Sequence, residues 1–457
     1  MIRPALLSLF MTTALVGCDT VPFEDTPTRA KIADSSLPPM KSFASARPAA
    51  PTRSNGNIAA DFLDLHFQLE SGRVLPVFTR FETPITVAVT GAPPPSLGSD
   101  LTRLLSRLRS EAGIDIRQVS SGQANITIEA VSRSEIRKAL PQAACFVVPN
   151  VSSLSEFRRA RHQPRTNWAL LRDRSRLGVF VPNDASPQEI RDCLHEELAQ
   201  AIGPLNDLYR LSDSVFNDDN MHTVLTGFDM LILRATYAPE LRSGMTRSEV
   251  AARLPQILAR YNPQGTGLPV QPYSPTPREW VSYIQQALGP NSKPEQRQRA
   301  AANAVGLAQQ MNWTDHRRAF GHYILGRMTQ GHDPVIAQRH YDTARHYLER
   351  MPGSHLHQAY VAAQMAAYDV AMGNGQKALA TVTPHLKVAA DAENAALLST
   401  LMLIQAEALE LTGQHDRARA VRLDSLGWAR YGFGSDWAVR AKMRDIAALN
   451  PERKTGS

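Results

Sequence analysis

The stretch 186–203 constrains this chain most, because it reads as one helix with both ends fixed and a charge at the margin of its buried side. Ser186-Pro187-Gln188-Glu189 is a capping box with proline at the first helical position, and Gly203-Pro204 is a stop. At about 100° per residue, Ile190, Leu194, Leu198 and Ala201 form one apolar stripe. Glu197 falls at its edge, with Glu196 and Gln200 just beyond. A carboxylate there is unusual, since an ionised group loses hydration at a buried border. The helix therefore carries either a solvated i, i+4 pair on its outer face or one wall of an acidic cleft.

Spacing adds to the wheel. Glu196-Glu197-Leu198-Ala199-Gln200-Ala201-Ile202-Gly203, followed by Asn206, is similar to the metzincin pattern H-E-x-x-H-x-x-G-x-x-H, in which three histidines hold zinc. On that resemblance Glu196, Gln200 and Asn206 stand at the ligand positions and Glu197 at the general base. Ser214-Val215-Phe216 resembles the turn beneath the metal, with Phe216 where methionine is expected, and Thr226 and Asp229 resemble the cap of the closing helix. A competing register takes His195-Glu196 as the H-E pair. It puts Ala199 at the second ligand position and Ile202 at the glycine, and turns His195 away from the Glu197 side, so it is rejected. The run 193–203, Asn206-Asp207, 214–218 and Leu241-Arg242-Ser243-Gly244-Met245-Thr246 also resembles a family of bacterial envelope proteins classified as a domain of unknown function. That likeness supports the register and supplies no activity.

The metzincin resemblance implies a zincin-like α+β domain that keeps its base and has exchanged its ligands. One carboxylate and two amide oxygens are hard, weakly charged donors, suited to calcium or magnesium better than to zinc. Without a tightly held metal nothing lowers the pKa of an attacking water from about 15.7 to about 7. The expected binding cleft comprises Glu196, Gln200, Asn206, Asp207 and Phe216, with no metal or other cofactor; Glu197 is catalytic only if the domain is active.

Arg3, the apolar run 5–16 and Leu15-Val16-Gly17-Cys18 resemble a bacterial lipoprotein signal. This implies a signal peptide over 1–17, lipid on Cys18 and membrane attachment through that lipid, since the run is too short to span a bilayer. Asp19 resembles an inner-membrane retention signal. Residues 18–57, rich in Pro, Ala, Ser and Thr, are expected to form a disordered tether. With Cys18 consumed, Cys145 and Cys193 are an even pair that invites a disulfide in an oxidising periplasm. Closing a loop of about 49 residues would stabilise the fold by about 4 kcal/mol.

Strands are expected at 85–89, 114–119, 126–131, 145–148 and 177–181, with helices at 99–112, after Thr226 and at 247–261. They make 58–262 an α+β domain with its sheet behind the 186–203 helix. Residues 263–275 read as a linker, and Thr276-Pro277-Arg278-Glu279 as a second capping box. Beyond it, Gly331, Gly373 and Gly413, about 40 residues apart, each separate an Ala-rich helix from another that begins near Ala337, Ala378 or Ala418. This period resembles tetratricopeptide-like solenoids, and implies an all-α helical-repeat array over 276–450 that docks an envelope protein or peptide. Trp428, Tyr431, Phe433 and Trp437 are expected to cap it, and His322, His340, His346, His355 and His357 to lie dispersed on polar faces.

The net charge of +7 comes from Lys and Arg scattered among acids, which argues against nucleic acid as a partner. The expectation is a lipid-anchored bacterial envelope protein facing the periplasm, with a binding or scaffolding role. The alternative is a hydrolase, metal-dependent in its first form, in which Glu197 is the base and works with an unusual metal or with a histidine brought in from elsewhere, such as His222.

Overall fold

Segments rich in valine and isoleucine favour strands, and five strands pair here into one sheet, of which 146–149 and 177–182 are buried along their whole length. The computed structural model describes Ser35 and residues 37–43, 48–120, 123–272, 274–290 and 292–454. The signal 1–17, Cys18 and Asp19 lie outside the described residues. The strands are β1 (Ile85–Gly91), β2 (Ile116–Gln118), β3 (Ile126–Val131), β4 (Phe146–Pro149) and β5 (Leu177–Pro182), in the order β2-β1-β3-β5-β4. The first four are parallel; β4 is an antiparallel edge in register Phe146↔Phe180 with β5. Side chains alternate as period two requires: Val179 and Val181 enter the larger core, and Phe180 enters a smaller one with Val131, Ile136 and Val148.

Seven helices accompany the sheet: α1 (Asn55–Phe67), α2 (Pro95–Ala112), α3 (Arg133–Ala139), α4 (Leu154–Ala160), α5 (Pro187–Ile202), α6 (Gly227–Thr236) and α7 (Arg247–Tyr261). The larger core joins α1, α2, α5, α6 and α7 to the sheet, while α3 and α4 cover the smaller one. On α5 the stripe of Ile190, Leu194, Leu198 and Ala201 is buried as the wheel requires. Truncating Leu194 to alanine there would cost about 2–5 kcal/mol.

Nine helices follow among the described residues: α8 (Arg278–Leu288), α9 (Pro294–Gln310), α10 (His316–Thr329), α11 (Pro334–Leu348), α12 (His355–Ala371), α13 (Gly375–Asp391), α14 (Ala395–Leu411), α15 (His415–Phe433) and α16 (Asp436–Ala447). Gly331, Gly373 and Gly413 lie between the members of the pairs α10–α11, α12–α13 and α14–α15. Gly373 (φ 74°) and Gly413 (φ 72°) have the left-handed backbone that lets the chain leave one helix and enter the next. No helix among the described residues is long and apolar enough to cross a membrane.

Three expectations change here. Within 18–57, the segment 37–43 is pinned: Lys41 N–H donates to the Gly427 carbonyl at 3.0 Å, and Phe43 stacks on Trp428 at 4.5 Å. Arg430 and Arg103 also donate to the carbonyls of Pro38 at 3.0 Å and Phe43 at 2.8 Å. The linker is likewise tied down, because Asn57 exchanges hydrogen bonds of 2.7 and 2.9 Å with the Gln271 backbone. At the start of α8 the N-cap is Pro277, with no side-chain bond, so Thr276 does not close a capping box.

From Leu37 onward the α/β and all-helical regions form one compact unit. The outer face of α5 packs on α15, and Arg191, 2% exposed, pairs with Glu393 in the α13–α14 turn at 2.8 Å. Gln188 Nε2 donates to Asn394 Oδ1 at 3.1 Å. The helix pairs thus bury a face that the wheel alone leaves to solvent. Trp428 and Tyr431 pack here against Phe43, whereas Trp437 is exposed.

Candidate functional site: an acidic cleft beside the edge strand

A cavity of about 810 Å³ opens between α5, the segment before β4 and the loop after α5. Glu196, Glu197 and Gln200 supply one wall, Asp207 and Asp218 the floor, and Glu70 joins from the turn after α1. Leu140, Ala143, Ala144 and Trp168 make the opposite side apolar, and Cys145, Phe146 and Val147 bring the start of β4 to the rim. Five carboxylates face this space, and among the described residues no lysine, arginine or histidine does.

Local chemistry fixes α5 in place. Ser186 Oγ accepts from Glu189 N–H at 3.2 Å, half of the capping box; the Glu189 carboxylate lies 3.8 Å from Arg133 instead. At the other end the buried Arg174 donates to the carbonyls of Gln200 (2.5 Å), Ala201 (2.8 Å) and Gly203. One guanidinium thereby satisfies helix-end acceptors that Gly203 and Pro204 leave open. Tyr237 Oη donates to the Ile202 carbonyl at 2.9 Å. The Cys145–Cys193 disulfide, Cα–Cα 5.9 Å, ties the segment entering β4, where Cys145 lines the cleft, to the middle of α5.

Burial decides the electrostatics. Glu197 is 5% exposed, its Oε2 has no hydrogen-bond partner, and burial, then Glu70, pushes its carboxyl up to about 8. Burial, then Glu197 and the neighbouring acids, holds Glu196 well above the usual carboxylate range. Asp207 is raised by burial, then by Glu70, to which it is hydrogen-bonded, and by Glu196. Burial lifts Asp218 to about 6, although Tyr209 donates to its Oδ2 at 2.9 Å.

The residues expected in the cleft divide. Glu196, Glu197, Gln200 and Asp207 line it; Asn206 and Phe216 do not. Asn206 turns away, its Nδ2 donating to the Asp64 carbonyl at 3.0 Å. Phe216 is fully buried in the larger core. The turn it belongs to is bolted to α6, with Ser214 Oγ donating to Asp229 Oδ1 (2.5 Å) and Val215 N–H to Oδ2 (3.1 Å). Thr226 and Asp229 form the capping box of that helix. His195 accepts from Leu225 N–H at 3.0 Å and does not line the cleft, which speaks against the register that takes His195-Glu196 as the H-E pair.

His222 bonds the Ser212 carbonyl at 3.1 Å, faces His357 and does not line the cleft. His357 is itself not on a polar face: it is buried and 2.9 Å from Asp219, because α12 packs on the loop after α5. Glu70 and Asp218 were missed in the sequence, since each lies on a turn far from the helix motif. The adjacent acids Asp218 and Asp219, between buried Phe216 and Met221, were the available signal.

Fold and cleft together define a mixed-sheet α/β domain with an acidic cavity beside its edge strand, continued by helix pairs. Residues 55–256 match the family model described as "Protein of unknown function (DUF2927)". The match spans the α/β region and stops before the helix pairs. No curated protein and no solved structure matches significantly.

Proposed function

We propose that this chain is a lipid-anchored bacterial envelope protein that holds an extended polypeptide in the cleft and docks a second protein on its helix pairs. The observation that carries the reading is the cleft's donor set: four other carboxylates and the amides of Gln142, Gln200 and Asn220 around Glu197, with no imidazole among the described lining residues. The zinc implied by the metzincin resemblance does not fit these residues. Both nearby sulfurs are bonded to each other, and no group of three or more His, Cys, Asp or Glu able to hold a metal occurs among the described residues. The antiparallel edge strand at the rim supports a peptidase-shaped scaffold that accepts an extended chain by strand addition. The likeness of the helix pairs to tetratricopeptide-like arrays supports docking. The sequence around Cys18 supports a lipid anchor facing the periplasm, and Asp19 the inner membrane.

The hydrolase reading draws on one observation, a carboxyl at about 8 on Glu197 inside a cleft, which is a general-base value. Incubating the full chain with labelled, internally quenched peptides separates the two. Rising anisotropy without dequenching in the native chain is the expected result, with binding weakened and still no dequenching in Glu197→Gln. Cleavage by the native chain that Glu197→Gln abolishes would replace the binding reading with hydrolysis.

A further inference from the structure

We propose that the polypeptide held in the cleft inserts a basic side chain, arginine in preference to lysine, among Glu70, Glu196, Glu197, Asp207 and Asp218. The inference rests on the peptide-binding reading above and names what that peptide must carry. Three independent features point to it. Glu197 Oε2 is buried and unpartnered on a residue that lines the cavity, so a donor is missing there. Among the lining residues five acids meet no cation, so the charge that would offset them comes from outside. The opposite side, with Leu140, Ala143 and Trp168, suits the aliphatic stem of a long basic side chain.

The spread of the acids selects the kind of cation. They do not converge as ligands of a bare ion, but surround a cavity of about 810 Å³. A guanidinium suits this better: it is planar, carries five N–H donors and can bridge several carboxylates at once. An ammonium is a smaller point charge and satisfies fewer of them. Burial and mutual repulsion hold Glu196, Glu197, Asp207 and Asp218 above the ordinary range, so the cluster is only partly ionised near neutral pH and an entering cation draws out the remaining charge. Binding then releases protons, and affinity rises between pH 5 and pH 8.

The test uses the full chain in detergent and four labelled decapeptides of one sequence, with Arg, Lys, Gln or Glu at the centre. Arginine should bind about tenfold or more tighter than glutamine, with lysine between and glutamate weakest. Glu197→Gln and Asp207→Asn should each erase most of the arginine preference, with thermal unfolding confirming that both variants fold. Equal affinity for the Arg and Gln peptides would overturn the basic-side-chain inference and leave peptide binding standing. No binding of any of the four would sink both. Stoichiometric calcium or zinc at micromolar levels, displacing the Arg peptide, would also overturn the inference by making the site a metal site.

Discussion

Burying a carboxylate with one oxygen unpartnered is tolerated only because the group keeps its proton, and Glu197 does so up to about pH 8. The folded chain holds that proton more tightly than the unfolded chain, whose carboxyl titrates near its ordinary 4.5. Any destabilisation by this group is therefore absent below about pH 4.5, grows through the interval and is complete above about pH 8. Glu197→Gln should leave the gap between variant and native midpoints small at pH 4.5. At pH 8 it should stabilise the fold by on the order of 2 kcal/mol relative to that gap. Urea unfolding at the two pH values measures it. A gap that does not change with pH would show that Glu197 ionises freely.

Elements translate these demands into architecture, and here the sequence was most legible. Strand 126–131 and helix 247–261 appear within the expected bounds, because local periodicity and capping residues decide them. Arg174 was not legible as the cap of α5: its partners lie 26 to 29 residues away, and no periodicity links them. The disulfide was legible as arithmetic, and its consequence is an expectation about β4. Replacing Cys145 and Cys193 by serine should lower stability by about 4 kcal/mol. Amide exchange should quicken at 146–148 more than in β1 or β3; equal midpoints with and without the bond would refute the stability claim, and unchanged exchange at 146–148 the local one.

A second element is the turn between α13 and α14, where Glu393 has φ 50° at a position that Gly373 and Gly413 fill in the neighbouring turns. Its left-handed backbone costs about 1 kcal/mol, yet its side chain and carbonyl hold buried Arg191. Removing the partner of a buried charge costs about 3–5 kcal/mol. Glu393→Gly should thus lose about 2 kcal/mol or more despite the easier backbone, and adding Arg191→Met should recover part of it. A Glu393→Gly variant more stable than the parent would mean that the turn, not the ion pair, dominates.

At the scale of the molecule, the helix pairs do not trail behind the α/β region; they are stitched to it through buried polar groups. Tyr431 Oη donates to Asp100 Oδ2 at 2.8 Å, His357 meets Asp219, and His316 Nε2 lies 2.5 Å from the Tyr209 carbonyl. Such contacts pair residues more than 100 positions apart, which is why a reading of the chain in order produced two domains where packing produces one unit. They also give the junction a pH dependence. Burial lowers His316 to about 4, with His357 adding to it, and burial also lowers His222. A histidine held neutral in the fold but ionising near 6.5 when unfolded favours the unfolded chain once pH drops below that value. Its contribution is intact above about pH 6.5 and is progressively lost down to about pH 4. His316→Gln keeps a donor for the Tyr209 carbonyl and removes the titration. It should therefore cut the loss of stability between pH 7 and pH 5 by on the order of 2 kcal/mol. Urea midpoints of variant and native chain at both pH values measure this, and parallel pH slopes would remove His316 from the account. If the slopes diverge while each chain still unfolds in one transition, acid acts on the junction and on the acidic cleft through the same cooperative unit.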